Sequence, residues 1–195
     1  MRNKQVGFGF GINQEITNIL VDEKYLQDIL TMANRPSALN KVVLELFKKI
    51  RADNYEQEPK IYQHPEVEEK ILYNKIKKHR FKIEELYSEN VVLIENAYEN
   101  LDSESPGNKR LLLDYLNSMY LEILGDLSDD YTKSKIEIIE ENHNGDTILE
   151  KMINKLLISL GNLFDEVPKE QLVLSTTIIV YHAFVECKIL ENPNK

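Results

Sequence analysis

The sequence lacks two residue types that often organise small folds. It contains no Trp and a single Cys, Cys187, among its 195 residues. One Cys excludes a disulfide within the chain, which agrees with a reducing environment and predicts a cytoplasmic protein. Ten Tyr and six Phe remain as the bulky side chains that can fill a hydrophobic core.

Positive charge is also scarce. The chain has 24 basic and 33 acidic residues, which gives a formal net charge of −9. A surface with this excess of negative charge repels phosphate groups, which disfavours broad, non-specific binding of DNA or RNA. A local basic patch is the one feature that could still contact nucleic acid.

Long hydrophobic runs are missing as well. The longest apolar stretch, from Leu172 to Leu190, is interrupted by Thr, His, Glu and Lys residues. Polar groups inside a span of this length argue against a membrane helix, and we predict a buried core helix instead. The first 14 residues contain no apolar run that could serve as a signal peptide, so no membrane association is expected.

Apolar residues instead recur every three or four positions along most of the chain, which is typical of amphipathic helices. We predict an all-α bundle of six to seven helices. A short extended arm over residues 1–20 precedes the bundle, because Gly7, Gly9 and Gly11 alternate there with apolar residues. The Pro-containing stretch at residues 59–65 predicts a linker between an N-terminal segment (1–58) and a helical domain (66–195).

Cap residues predict where several helices begin and end. Gly125 is expected to end the helix that contains Leu112 to Ile123, and a turn is expected at Ser103–Gly107. Asp146 is expected to cap the start of the helix that follows it. Pro168 opens the last element, which we predict to be a buried helix although its β-branched run would also suit a strand.

We found no pattern of residues that predicts catalysis. The G-F-G-F-G run lacks the strand, helix and Lys of a phosphate-binding loop. His182 and Glu186 are spaced like a metal pair on a helix, but the sequence supplies no further ligands at the required spacing, and a polar hydrogen-bonded pair is the simpler interpretation. Cys187 lies in an apolar run that disfavours a thiolate. We therefore predict no enzyme activity, no metal site and no cofactor.

One basic cluster interrupts the acidic average, and we take it as the candidate partner-binding site. It consists of Lys75, Lys77, Lys78, Arg80 and Lys82. Three interpretations remain open: a solvated helix face without function, a docking site for an acidic partner, and a local contact with nucleic-acid phosphates.

Three segments resemble a known family. They are P-E-V-E-E-K-I-L-Y-N-K from Pro65, G-N-K-R-L-L-L-D-Y-L-N-S-M-Y-L from Gly107, and I-I-V-Y-H-A-F-V-E-C-K-I-L-E-N-P from Ile178. Together they are similar to the C-terminal helical domain of bacterial ABC-three-component systems, the group that includes Lamassu-type phage defence.

The resemblance implies an adaptor. In such systems this domain usually follows an effector and couples it to an SMC/RecN-like ABC ATPase and a small middle component. The implied role is therefore a non-catalytic assembly module of an anti-phage complex. A homodimer is also a plausible assembly, because helical modules with exposed apolar faces often self-associate. The alternative is a small helical protein that binds nucleic acid through residues 75–82.

Overall fold

The computed structural model describes residues 38–51, 65–142, 144–160, 168–186 and 188–193. Within these ranges the chain forms seven α-helices, a π-helical segment at Lys82–Tyr87 and no strand. The α-helices are α1 (Ala38–Arg51), α2 (Pro65–Tyr73), α3 (Ser88–Glu104), α4 (Asn108–Leu127), α5 (Lys135–Glu141), α6 (Gly145–Leu160) and α7 (Lys169–Val185). The prediction of an all-α bundle is confirmed. The predicted N-terminal arm and nearly all of the predicted linker lie outside the described residues.

Helix α7 lies at the centre of the bundle, where it packs against α1, α3, α4 and α6. All ten residues from Ser175 to Phe184 are buried, so this helix has no solvent-facing side over that length. The hydroxyls of Thr176 and Thr177 donate to the carbonyl oxygens of Leu172 and Val173, at 2.7 Å in both cases. These bonds let two polar side chains enter the core without unpaired donors. The predicted buried helix is thereby confirmed.

The surrounding helices bury one face each, as their apolar spacing predicts. In α1 the buried face comprises Leu39, Val42, Val43 and Leu46. In α6 it comprises Ile148, Leu149, Met152, Ile153, Leu156 and Leu160. Each fully buried aliphatic side chain of this kind contributes about 1.5–3 kcal/mol from the removal of apolar surface from water. Helix α1 packs directly on α3 and α7 and therefore shares the core of the remaining helices.

Two of the predicted helix ends can be compared with the structure. The turn predicted at Ser103–Gly107 is confirmed for residues 105–107, whereas Ser103 and Glu104 still belong to α3. Gly107 adopts a φ of 91°, which a residue without a Cβ tolerates best. The predicted stop at Gly125 is wrong, because α4 continues to Leu127. Leu127 packs partly on the core, and its carbonyl oxygen accepts a hydrogen bond from Asn142 Nδ2 at 3.3 Å. Packing and this bond extend the helix past a glycine that propensity alone would make its end.

The C-terminal end of α7 and the tail after it are attached to α2. Lys70 Nζ donates to the carbonyl oxygen of Phe184 at 2.5 Å, where a positive charge complements the helix dipole. Asn74 forms a two-way amide pair with the backbone of Glu191: its Nδ2 donates to the carbonyl at 2.7 Å and its Oδ1 accepts from the N–H at 2.9 Å. Ile189 and Leu190 are buried beside this attachment.

Candidate functional site

The basic cluster lies on a turn and on the beginning of the next helical stretch. Helix α2 ends at Tyr73, and the chain turns through residues 74–79, with Lys75 at a φ of 53°. Lys75, Lys77 and Lys78 therefore lie on a turn and not on a helix face, which was one of the three interpretations left open by the sequence. Arg80 and Lys82 lie at the start of the helical stretch that leads into α3.

A buried carboxylate on α6 fixes the conformation of this turn. Asp146 Oδ2 accepts hydrogen bonds from the backbone N–H groups of Lys77 and Lys78 at 2.9 and 3.1 Å, and its Oδ1 accepts from that of His79 at 3.0 Å. Three successive backbone donors thus converge on one anionic group, and such charge-assisted bonds are stronger than neutral ones. This arrangement explains why α2 stops instead of continuing through the lysines.

The prediction that Asp146 caps its own helix is consequently wrong. Asn144 has that role, because its Oδ1 accepts from the N–H of Asp146 at 3.0 Å. Gly145 allows the close approach of the turn: its N–H donates to the carbonyl oxygen of Asn74 at 2.8 Å. A Cβ at position 145 would lie 2.9 Å from that same oxygen and from Ile76 Cγ1.

Three of the five basic side chains form ion pairs within the chain. Lys75 Nζ lies 2.7 Å from Glu140, and Lys78 Nζ lies 3.3 Å from Glu150. Arg80 bridges Glu84 at 2.7 Å and Glu68 at 3.5 Å. Lys77 and Lys82 are exposed, and in the part of the chain that the structure describes no carboxylate lies within 4.0 Å of either ammonium group. Within the described ranges, Lys77 and Lys82 are thus the members of the cluster that form no ion pair.

Two histidine–tyrosine pairs join this region to α7. The first links the turn to the helix: His79 Nδ1 lies 2.6 Å from the hydroxyl of Tyr181. Burial lowers the pKa of His79, and the nearby Asp146 carboxylate only partly offsets this effect. The imidazole is thus held in its neutral form more strongly than in water.

The second pair lies deeper in the bundle. His182 Nδ1 lies 3.0 Å from the hydroxyl of Tyr87, the last residue of the π-helical segment. The ring of Tyr98 lies against the imidazole, with 4.9 Å between the centroids. Burial, assisted by the positive charge of Lys109, lowers the pKa of His182 to about 3, so the side chain is neutral at pH 7.

His182 and Glu186 are close, but their geometry differs from the predicted hydrogen-bonded pair. The distance from His182 Nε2 to Glu186 Oε1 is 3.8 Å, which exceeds hydrogen-bonding distance. Among the described residues, no three His, Cys, Asp or Glu side chains are arranged to hold a metal ion. Cys187, His64 and His143 lie outside the described residues.

A surface pocket of about 410 Å³ lies away from both histidine pairs, between α1 and the end of α3. Its polar lining includes Lys41 and Glu104, whose side chains form an ion pair at 2.5 Å. The basic cluster and both histidine pairs are therefore separate from this pocket. None of the described helices is both long and apolar enough to cross a membrane.

Comparison with known protein families identifies the domain. The family model for C-terminal domain 10 of the ABC-three component (ABC-3C) systems matches residues 37–191. The chain belongs to this family. The predicted resemblance is confirmed, whereas the Lamassu type remains a prediction. The match includes helix α1 of this ABC-3C domain, which sequence analysis assigned to a separate N-terminal segment. No curated protein and no solved structure matches the chain.

Sequence reasoning missed the residues that hold the basic turn in place. Asp146 lies 67–69 residues from its three backbone donors, and Tyr181 lies 102 residues from His79. Helical periodicity carries no information about pairs at such separations. The one available signal was the sequence Asn144-Gly145-Asp146, in which Asn144 can cap the helix and thereby leave Asp146 to bind elsewhere.

Proposed function

We propose that this ABC-3C domain is a non-catalytic assembly module. It couples an effector to an SMC/RecN-like ABC ATPase and a small middle component, and the resulting complex acts in anti-phage defence. The observation that carries the proposal is the family match over residues 37–191. The alternative, nucleic-acid binding through residues 75–82, has less support. Three of the five basic side chains on which it depends already bind carboxylates of the same chain.

The contacts of the polar side chains support a scaffolding role. Asp146, His79 and Asn74 join the turn after α2 to α6, to α7 and to the C-terminal tail. His182 joins α7 to the π-helical segment through Tyr87. Each of these groups joins segments far apart in the sequence, and such long-range bonds keep the outer surface of the bundle rigid. A rigid surface loses less conformational entropy when a partner binds.

Co-purification tests the proposal. The affinity-tagged chain is co-expressed with the ATPase and middle component encoded beside it, and the eluate is analysed by size-exclusion chromatography. We expect one peak that contains all three proteins, and a lower plating efficiency of phage when an effector is also present. A gene neighbourhood without an ABC ATPase, or elution of the chain alone under all salt conditions, would contradict the proposal.

A further inference from the structure

Asn144 and Gly145 form a dipeptide with a chemistry of its own. Asparagine is a thermolabile residue type, because its side-chain amide can be attacked by the backbone nitrogen of the next residue. Glycine favours this attack, since it has no Cβ to obstruct the approach. Asn144 is the one asparagine of the chain that a glycine follows. The structure places this reactive dipeptide against the turn after α2.

The reaction in question is a deamidation. The Gly145 nitrogen forms a bond to Asn144 Cγ, the bond from Cγ to Nδ2 breaks, and ammonia leaves with the proton of the Gly145 amide. Water then opens the resulting cyclic imide at either of its carbonyl carbons. The product has an aspartate at position 144, or an isoaspartate in which the main chain runs through the side-chain carbons and is longer by one carbon.

The folded domain holds both of the groups that would react. The N–H of Gly145 donates to the carbonyl oxygen of Asn74 at 2.8 Å, so the nitrogen can attack only after this bond breaks. The side-chain oxygen of Asn144 accepts from the N–H of Asp146 at 3.0 Å, which fixes the amide that would be attacked. Deamidation therefore requires a local opening in which the turn at residues 74–79 separates from the start of α6.

The contacts that hold the turn in place also oppose this opening. Asp146 accepts hydrogen bonds from three successive backbone N–H groups of the turn, at 2.9–3.1 Å. His79, the last residue of the turn, is attached to the hydroxyl of Tyr181 at 2.6 Å. The loss of any of these bonds raises the fraction of molecules in which the turn is open. The deamidation rate should rise by the same factor, because only the open form reacts.

We propose that Asn144 is a deamidation site that reacts when the turn after α2 opens, and that its products prevent the turn from closing again. A Cβ at Gly145 would already lie 2.9 Å from the Asn74 carbonyl oxygen and from Ile76 Cγ1, so this contact leaves no space for a longer main chain. Either product also places a carboxylate beside the buried Asp146, and like charges disfavour each other. A transient opening thereby becomes a permanent one.

Peptide mass spectrometry of the full-length chain tests the proposal. The purified protein is incubated at mildly alkaline pH in buffer or in urea, and deamidation at Asn144 is followed from the mass increase of its peptide. We expect the folded chain to react at least about tenfold more slowly than the unfolded chain, since its rate is scaled by the open fraction. Equal rates in buffer and in urea would overturn the proposal, and so would a chain that does not react at Asn144 even in urea.

A pair of tyrosine variants shows whether the turn controls the reaction. Tyr181→Phe removes the partner of His79 without altering the sequence around Asn144, and it should raise the rate in buffer by about fivefold while the rate in urea stays unchanged. Tyr87→Phe is the matched control, because it removes the hydroxyl of the deeper pair, away from the turn, and should change the rate by less than about twofold. Equal acceleration by both variants would show that deamidation follows global unfolding and would rule out control by the turn.

Limited trypsinolysis tests what the products do to the turn. Lys77 and Lys78 lie on the turn, and an opened, exposed segment is a preferred site of proteolysis. The deamidated fraction, separated from the intact chain by anion exchange, should be cleaved after these two lysines at least about tenfold faster. Cleavage after the exposed Lys169 is the control and should not change. Equal cleavage of the turn in the two fractions would contradict the proposal, because the deamidated chain would then close as the intact one does.

Discussion

The two histidine–tyrosine pairs of this domain are built alike but lie in different surroundings. Two adjacent residues of α7 take part: Tyr181 pairs with His79, and His182 pairs with Tyr87. His79 and Tyr87 are the two ends of the stretch 79–87. His79 lies near Asp146, Glu150, Lys78 and Lys82 at the base of the turn, whereas His182 lies deeper, against Tyr98 and near Lys109 and Glu186. In both places burial is the largest cause of the lowered imidazole pKa.

The two pairs have different structural roles because they lie at different depths in the bundle. The His79 pair belongs to the frame that presents the basic turn, and the carboxylates around it also organise that turn. The His182 pair belongs to the core, where a neutral imidazole packs between aromatic rings. Together the two pairs attach the stretch from His79 to Tyr87 to α7 at both of its ends.

Among these predictions, the largest loss of stability is expected when the Asp146 carboxylate, which holds the turn around His79, is removed. Asp146→Ala should lower the free energy of unfolding by about 3 kcal/mol, because three backbone N–H groups lose their acceptor. Asp146→Asn keeps one acceptor oxygen and should cost about half as much. Urea unfolding measures both, with the exposed Asp129→Ala as the control. A loss from Asp146→Ala no larger than the control's would refute the account of the turn.

Removing each tyrosine hydroxyl compares the two pairs directly. Tyr87→Phe should cost about 1–2 kcal/mol and Tyr181→Phe about 1 kcal/mol, because buried polar groups that lose a partner keep their desolvation cost. We expect the larger loss at Tyr87, since within the described part of the chain His182 Nε2 has no hydrogen-bond partner either, whereas His79 Nε2 retains the nearby Glu150. Chemical denaturation measures the free energy of unfolding of both variants. A larger loss for Tyr181→Phe than for Tyr87→Phe would contradict this prediction.

The pH dependence of stability sharpens the same comparison. The folded-state pKa of His182, about 3, lies below the unfolded value of 6.5, so unfolding takes up a proton when the pH falls below 6.5. Stability is therefore complete above that pH and decreases toward acid. Between pH 7.5 and 5.5 His182 contributes a loss of about 1.4 kcal/mol, because the proton uptake integrated over this range equals about one pH unit at 1.4 kcal/mol per unit.

His182→Gln removes this titration and should flatten the curve over that range. Part of the dependence of stability on pH should persist in this variant, because the pKa of His79 is also lowered in the folded state. Urea midpoints at several pH values provide the measurement, and an unchanged slope in His182→Gln would show that His182 does not titrate as described.

The smallest effect is expected at Glu186, which is 38% exposed, pairs with Lys109 at 3.8 Å and lies 3.8 Å from the neutral imidazole of His182. Glu186→Gln should change stability by less than about 0.5 kcal/mol, as is usual for exposed ion pairs. Elemental analysis of the purified wild type should find no stoichiometric metal. A bound metal that Glu186→Gln releases would instead support a metal site at His182.

The sequence predicted the helices better than their connections. Periodic apolar residues located α1, α4 and α6, since one-sided burial leaves a direct mark on spacing, whereas a long apolar run with few polar residues located the buried α7. Gly125 and Asp146 were misassigned because local propensity cannot show that Leu127 packs on the core or that a turn 67–69 residues earlier needs an acceptor. The basic cluster was identified as charged, but only the structure shows which of its side chains are already paired.

Native mass spectrometry of the chain co-expressed with its neighbouring ATPase and middle component tests the central claim most directly. The account predicts a single assembly whose mass requires all three proteins. A spectrum that contains this chain only as a free monomer or homo-oligomer, while the ATPase and middle component associate without it, would contradict the account.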